Sequence, residues 1–257
     1  MKVAILGAGV YGTALGGVLV EKGYSVDYHD PFLSSRTLSE VLEKAKMILM
    51  VVPSSAVERL LKELPKDLPL IVATKGIMNN EIFQDFKDVM ILSGPGFADD
   101  IKAHKLTCLT VTDKRLIEMF GVDYLRFDET SDCKGVLMCG ALKNVYAILA
   151  GYLNLSSDTP ERTIFIDEAT HEMGLILKAN GAQAETAKLY CGRDDLELSC
   201  SEKSRNFEFG TKLKLNSKYQ PEKTVEGLSV LERIQQGEIV IPAEAAHLKQ
   251  LMGIIWN

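Results

Sequence analysis

Short apolar runs alternate with amphipathic segments over the first half of the chain. Lys2–Leu6, Ser25–Tyr28, Met47–Val52, Leu70–Thr74, Val89–Leu92, Leu106–Thr112 and Asp123–Phe127 read as strands. Met47–Val52 is continuously apolar, as a strand covered on both faces of a parallel sheet must be. Between the strands, Thr13–Val20, Ser34–Lys46, Ser54–Leu64 and Asn80–Lys87 read as helices. Pro53 stops the strand before it, and Ser54 or Ser55 can cap the helix that follows. This alternation predicts an α/β, doubly wound and mainly parallel sheet. The pattern changes near Asp132. Leu137, Ala141, Val145, Ile148 and Leu149 recur at helical spacing, and the text stays helical to Asn180 apart from a break over Asn154–Pro160. Ala184–Tyr190, Val225–Gln236 and Ala243–Trp256 read as shorter helices, with a polar stretch running through Ser217. The expectation is an α/β domain over 1–130 and an all-α domain over 131–257.

One turn gives the first domain a chemistry. Gly7, Gly9 and Gly12 follow the first strand and open the first helix, the G-x-G-x-x-G spacing of a Rossmann-type βαβ unit. Gly7 permits the tight turn, Gly9 lets a pyrophosphate approach the backbone, and Gly12 lets helix and strand pack closely. The helix N-terminus then offers N–H groups and a partial positive charge to the phosphates. Asp30 ends the second strand, where a carboxylate accepts from the 2′-OH of NAD and repels the 2′-phosphate of NADP. NAD is therefore the expected cofactor, ahead of NADP.

Composition narrows the rest. The chain has 257 residues, 46% of them hydrophobic and 25% charged, as in an ordinary globular protein. A formal charge of −6 leaves no basic field for a nucleic-acid backbone, so an anionic substrate needs a local cluster of cations. The cysteines (Cys108, Cys133, Cys139, Cys191, Cys200) form no C-x-x-C pair, which fits reduced thiols in a cytoplasmic protein. No uninterrupted apolar run has the length of a membrane span, and Met1-Lys2 leads straight into a strand, so neither a span nor a leader is expected. His29, His104, His171 and His247 form no metal pair, and no metal site is expected.

Lys143 stands mid-helix among Gly140, Ala141, Leu142 and Val145. A lone helical lysine is more often solvent-facing. An ammonium among small residues in a cleft is partly desolvated, however, and that favours proton exchange near neutral pH. Lys75 follows a strand, and residues at the carboxyl ends of parallel strands face the ligand crevice. Ser204-Arg205-Asn206 sets a hydroxyl, a planar guanidinium fork and an amide side by side, donors suited to phosphate oxygens, although such residues are also common in solvated turns.

These segments, in order, resemble the NAD(P)-dependent glycerol-3-phosphate dehydrogenase family. The matches are Gly7–Leu15, Val52-Pro53-Ser54, Thr74–Ile77, Ser93–Ala98, Gly140–Asn144, Asp195-Leu196, Ser204–Asn206 with Phe209-Gly210, and Val225-Glu226-Gly227. The resemblance implies that Lys143 is the general acid/base, that Asp195 pairs with it, and that Lys75 touches both cofactor and substrate. It implies cofactor contacts at Gly7, Gly9, Val10, Tyr11, Gly12, Asp30, Pro53, Lys75, Ala98, Arg205 and Glu226. It implies substrate contacts at Lys75, Gly94, Lys143, Asn144, Asp195, Ser204, Arg205 and Asn206. The expected activity is interconversion of dihydroxyacetone phosphate and sn-glycerol 3-phosphate. A related hydroxyacid or sugar-phosphate dehydrogenase, and a dinucleotide-binding sensor without turnover, are the alternatives.

Three departures stand out. Asp194 replaces a family glycine; Asp195 is taken as the site acid because Leu196 and Cys200 then align, with Asp194 as its competitor. Gly96 replaces a Ser or Thr, which removes one hydrogen bond to the substrate. The chain is shorter than the family norm, mainly between Asp30 and Met47 and also near residues 112–125 and at the end, which implies a thinner adenine pocket. The apolar tail Leu248–Trp256 covers either the helical core or a homodimer interface.

Overall fold

A computed structural model describes residues 1–155, 159–222 and 224–256. The chain forms two compact units: Met1–Lys75 with Asn80–Cys133, and Gly76–Asn79 with Lys134–Asn257.

The first unit is a seven-stranded sheet of order β2-β1-β3-β4-β5-β6-β7. Its strands are β1 (Lys2–Leu6), β2 (Ser25–His29), β3 (Met47–Met50), β4 (Leu70–Val72), β5 (Val89–Ser93), β6 (Thr107–Val111) and β7 (Leu125–Glu129). Its helices are α1 (Val10–Glu21), α2 (Leu38–Leu42), α3 (Ser54–Glu63), α4 (Ala98–Lys102) and α5 (Lys114–Phe120). The pairs from β2 to β5 are parallel, β5 and β6 are antiparallel, and β6 and β7 are parallel again. The reversal needs no crossover, so the short α4 suffices between β5 and β6, whereas the parallel return to β7 carries α5. Val3, Ile5, Leu49, Ile71, Met90 and Leu92 join α1, α4 and α5 in one core layer. The alternate residues Ala4, Leu6, Ile48, Met50, Leu70 and Val72 are buried on the opposite face. Because β1 lies between β2 and β3, the chain changes winding direction there, and the glycine turn leaves β1 at that switch point.

Three local expectations are corrected. The helix expected over Ser34–Lys46 is only Leu38–Leu42, because Asp30 and Ser34 bind the loop before it, Thr37 and Glu40 start it in a reciprocal capping box, and Lys44 lies at φ 61. Asn80–Lys87 shortens to a single 3₁₀ turn, Asn80–Phe83. The helices α4 and α5 add to the elements expected from the hydropathy pattern.

The second unit contains α6 (Cys133–Leu153), α7 (Pro160–Ala179), α8 (Asp195–Ser199), α9 (Arg205–Leu215), α10 (Glu226–Gln235) and α11 (Ala246–Trp256). Part of the break expected over Asn154–Pro160, residues 156–158, lies outside the described residues. Ala184–Tyr190 is not one helix: a 3₁₀ turn, Ala184–Lys188, is followed by a π turn, Tyr190–Asp194. The polar stretch contains α9, a full helix.

Every residue of α6 from Gly135 to Gly151 is buried, not only the expected stripe. A helix buried all round needs small residues where backbones meet. A Cβ at Gly151 would lie 2.0 Å from the Phe207 carbonyl oxygen, and one at Gly210 would lie 1.9 Å from that of Ile148. On α10, a Cβ at Gly227 would lie 2.6 Å from the Asn144 oxygen. The expectation of no span-length apolar segment also needs correction. By length and composition α6 could cross a membrane, and 89% of its apolar stretch is buried inside the protein, as in a core helix.

The tail packs inward through Leu248 and Leu251. Glu172 of α7, buried, anchors its start: Oε2 accepts from the His247 N–H at 2.9 Å, and Oε1 from the Leu248 N–H at 2.8 Å and the Tyr146 hydroxyl at 2.9 Å. A carboxylate at a helix N-terminus also meets the positive end of the helix dipole. The His247 ring lies 3.3 Å from Glu172, which raises its pKa above the ordinary 6.5 against the opposing effect of burial. For Glu172, burial favours the neutral acid, but the donors from His247, Leu248 and Tyr146 outweigh it and hold the pKa below 4.5. The His247 contribution to stability is therefore complete below its unfolded value and is lost as pH rises through the raised folded value. The Glu172 contribution is present above its unfolded value and is lost as pH falls through the depressed one. Replacing His247 by Gln should lower stability by about 1.5–3 kcal/mol, the range for a hydrogen bond to a charged group. Thermal melts should show the deficit at pH 5.5 and its decline by pH 9; a deficit flat with pH would refute the assignment.

Candidate active site

The glycine turn is built as the spacing demands. Gly7 has φ +104, and a Cβ there would lie 2.3 Å from the Val51 carbonyl oxygen on β3's exit. A Cβ at Gly12 would lie 2.1 Å from the Gly7 oxygen, so α1 rests directly on the turn. Gly9 differs, because a Cβ there would meet nothing within 4 Å. No side chain caps α1 and no acid occupies its first turn, which leaves its positive end suited to an anion. Val10 at its first position is 60% exposed.

Asp30 is held by the same turn. Its Oδ2 accepts from the Ala8 N–H at 3.0 Å, and its Oδ1 from Phe32 and Leu33 at 3.0 and 3.1 Å. Burial opposes its charge, yet these N–H donors, Phe32 foremost, keep its carboxyl below the ordinary range. Oδ2, which accepts a single bond, retains a lone pair for a ribose hydroxyl. Asp30 lines a cavity of about 590 Å³ with Gly7, Gly9, Phe32, Pro53 and Arg59. The open space before Gly9, the acid-free helix end and this cavity together fit a dinucleotide.

Lys75 follows β4 and donates to the Gly94 carbonyl at 3.2 Å, with its amine 5.7 Å from the centre of the Tyr11 ring. Gly94 has φ +152, and a Cβ there would lie 2.8 Å from the Cys108 oxygen, so only glycine fits. A Cβ at Gly96 would lie 3.2 Å from the Thr107 methyl, a tight contact that a small shift of that side chain relieves. Ala98 opens α4.

In the second unit the amine of Lys143 donates to Oδ1 of Asp195. Lys143 is 4% exposed and Asp195 1%. Asp195 rather than Asp194 makes this contact, because Asp195 begins α8 while Asp194 ends the π turn. Asp194 has φ −71 and ψ −38, an ordinary helical conformation, so the lost family glycine creates no strain. Inside the turn glycine is kept at Gly192, where a Cβ would lie 2.1 Å from the Ala187 oxygen.

Asn144 and Asn206 bind each other: Nδ2 of Asn206 donates to Oδ1 of Asn144 at 3.0 Å, and Oδ1 of Asn206 accepts from the Gly227 N–H at 2.9 Å. Their amides thus tie α6, α9 and the start of α10, and each keeps capacity for a ligand. Ser204 is the N-cap residue of α9, Arg205 opens that helix and is exposed, and Glu226 opens α10. Arg205 borders a cavity of about 170 Å³ with Lys212 and Tyr219. Among the described residues no group of three His, Cys, Asp or Glu side chains is placed to hold a metal.

Sequence reasoning missed two cations. Arg59 shares the cavity of Asp30, and its only signal was helical spacing from Pro53. Arg162 is 13% exposed along its side chain and binds the carbonyls of Glu197 and Cys200; nothing in its local sequence marks it.

A glycine-turn α/β unit with a cavity lined by Gly7, Gly9 and Asp30, together with a helical unit that buries a lysine–aspartate pair, is the site of a nicotinamide-dependent dehydrogenase. Residues 25–117 match the family model for the NAD-dependent glycerol-3-phosphate dehydrogenase N-terminus, and residues 132–249 match that for its C-terminus. A glycerol-3-phosphate dehydrogenase [NAD(P)+] of Leptospira biflexa is 33% identical over 83% of this chain and 79% of its own. One of Maridesulfovibrio salexigens is 30% identical over 91% and 87%. The crystal structure of glycerol-3-phosphate dehydrogenase from Coxiella burnetii superposes with a TM-score of 0.80 at 26% identity, covering 99% of this chain and 94% of that one. The chain belongs to the NAD-dependent glycerol-3-phosphate dehydrogenase family.

Proposed function

We propose that this enzyme interconverts dihydroxyacetone phosphate and sn-glycerol 3-phosphate, with Lys143 as the proton donor and acceptor. The buried Lys143–Asp195 pair carries the reading. Taking both charges out of water costs several kcal/mol per ion before their mutual attraction, and a purely structural site would be as stable with apolar residues. A dinucleotide sensor needs no such pair, which argues against the non-catalytic alternative.

A reduced nicotinamide, when bound, would supply the hydride. Lys143 gives its proton to the substrate carbonyl oxygen, or takes one from the hydroxyl in the reverse direction. Asp195 balances the charge of the amine and fixes its position. Arg205 offers the substrate phosphate a fork of donors, Ser204 and Asn206 add a hydroxyl and an amide, and Lys75 adds a second cation. Asn144 orients the reacting hydroxyl. Positioning and charge neutralisation supply most of the rate. Gly7, Gly9, Val10, Tyr11, Gly12 and Pro53 would hold the dinucleotide, and Ala98, Arg205 and Glu226 would complete its contacts. Asp30 favours NAD, and Arg59 on the same cavity leaves NADP tolerated, in keeping with the NAD(P)+ named for the relatives. The five cysteines form no disulfide, which supports a reducing, cytoplasmic setting. The exposure of Trp256 on α11, 37%, supports a homodimer through that helix.

Gly96 favours one second reading, a related sugar-phosphate or hydroxyacid substrate, because it removes a hydroxyl the family offers. Oxidation of NADH and of NADPH should be followed with dihydroxyacetone phosphate, dihydroxyacetone and a carboxylated analogue. The phosphate should be preferred by at least about a hundredfold in kcat/KM, since a site built for it leaves donors unpaired with the others. A preference for the carboxylate would transfer the site to the second reading, and a clear NADPH preference would end the Asp30 assignment.

A further inference from the structure

Catalysis by Lys143 requires Asp195 to stay in place, and the helix that begins with Asp195 is five residues long. So short a helix has almost no stability of its own, because nucleation costs more than its few hydrogen bonds return. It follows a π turn, which supplies no regular helix to extend. Contacts to α7 must therefore hold it.

Two arginines make such contacts. Arg193 bridges Asp167 at 2.9 Å and Glu197 at 3.3 Å, but its partners are 60% and 45% exposed, where ion pairs contribute little. Arg162 is different. Its Nη2 donates to the Glu197 carbonyl at 2.7 Å and its Nε to the Cys200 carbonyl at 3.1 Å, while Nη1 lies 3.5 Å from Glu197 Oε1. These carbonyls belong to the last turn of α8 and its C-cap residue, the end where oxygens lack helical partners and the dipole is negative. One planar guanidinium serves both at fixed spacing, which an ammonium cannot do. The main chain that carries this side chain is also fixed, because the Thr159 hydroxyl caps α7 by accepting the Arg162 backbone N–H at 3.3 Å.

We propose that Arg162 is a positioning residue for the reaction. By holding the C-terminal carbonyls of α8 it keeps Asp195, at the other end of that helix, against Lys143. This inference rests on the catalytic roles proposed for Lys143 and Asp195.

A double-mutant cycle on the full chain, read by NADH oxidation with dihydroxyacetone phosphate, tests it. Arg162→Met should lower kcat about tenfold while the Kd for NADH stays unchanged, and the same change in an Asp195→Asn background should cost less than about twofold, since residues acting through one another are non-additive. Arg162→Lys, which keeps the charge but not the planar fork that reaches both carbonyls, should recover part of the loss. Equal factors in both backgrounds would overturn the proposal, because a merely structural arginine acts additively. An unchanged kcat in Arg162→Met would overturn it too. Full turnover by Asp195→Asn alone would instead remove the catalytic assignment of the pair, and the positioning role with it. Should Arg162→Met fail to fold, Arg162→Lys takes its place in the cycle: a loss that shrinks in the Asp195→Asn background supports the proposal, and an equal loss overturns it.

Discussion

Lys143→Ala is expected to lower kcat by about 10²–10⁴, the usual contribution of a positioned proton donor, without changing the Kd for NADH. It should also destabilise the protein, by about 3–5 kcal/mol, because Asp195 would keep a buried charge without its partner. The two effects can be separated. Replacing both partners, Lys143→Met with Asp195→Leu, removes the charge problem and should return the melting temperature close to that of the parent, while turnover stays lost. Restored folding with restored turnover would refute Lys143 as the donor. So would normal turnover by Lys143→Ala.

The second large effect concerns the glycine turn, where two adjacent requirements have different origins. Gly12→Ala adds a methyl 2.1 Å from the Gly7 carbonyl oxygen, a backbone atom that cannot swing aside. Helix propensity alone would favour alanine by about 1 kcal/mol. Overpacking costs about 1–3 kcal/mol or more, so the clash prevails and the melting temperature should fall. Gly9→Ala meets no protein atom within 4 Å, and its φ of −65 suits any residue. Its stability cost should stay below about 1 kcal/mol, the difference between glycine and alanine as an N-cap. NADH affinity should nonetheless fall about tenfold or more, since the new methyl occupies the approach to the phosphates, and each 1.4 kcal/mol is a factor of ten. Fluorescence titration with NADH, beside thermal melts, reads both variants. Parent-like NADH binding by Gly9→Ala would remove the phosphate contact from the turn.

Legibility in the sequence followed the physics of each element. The βαβ unit was readable because a glycine turn is a backbone requirement and leaves its mark in the letters themselves. Strands such as Met47–Met50 were readable because a two-sided sheet demands an unbroken apolar run. Helix α9 was not, because its Lys, Glu and Arg residues dilute a short apolar stripe of Phe207, Phe209 and Leu213, and part of its contact with α6 is made by Gly210, which has no hydropathy to register. The burial of Lys143 could be anticipated from its small neighbours, whereas the choice of Asp195 over Asp194 came from the resemblance and not from the local pattern. Adjacent acids differ only in the direction they point, and a π turn resets that direction without a sequence signal. Arg162 reads as an ordinary first-turn residue because its partners are carbonyls more than thirty positions away, and any residue supplies a carbonyl.

The glycine contacts of α6 have a mechanical consequence. At Gly151, Gly210 and Gly227 main chain meets main chain with no intervening layer of rotatable groups. Slippage along the axis would drive carbonyl oxygens into neighbouring Cβ atoms within a residue or two. Helices α6, α9 and α10 are therefore keyed together as one stiff block, and shear is closed to them as a mode of motion. Whatever rearrangement accompanies turnover inside this unit falls to torsions in its connecting loops.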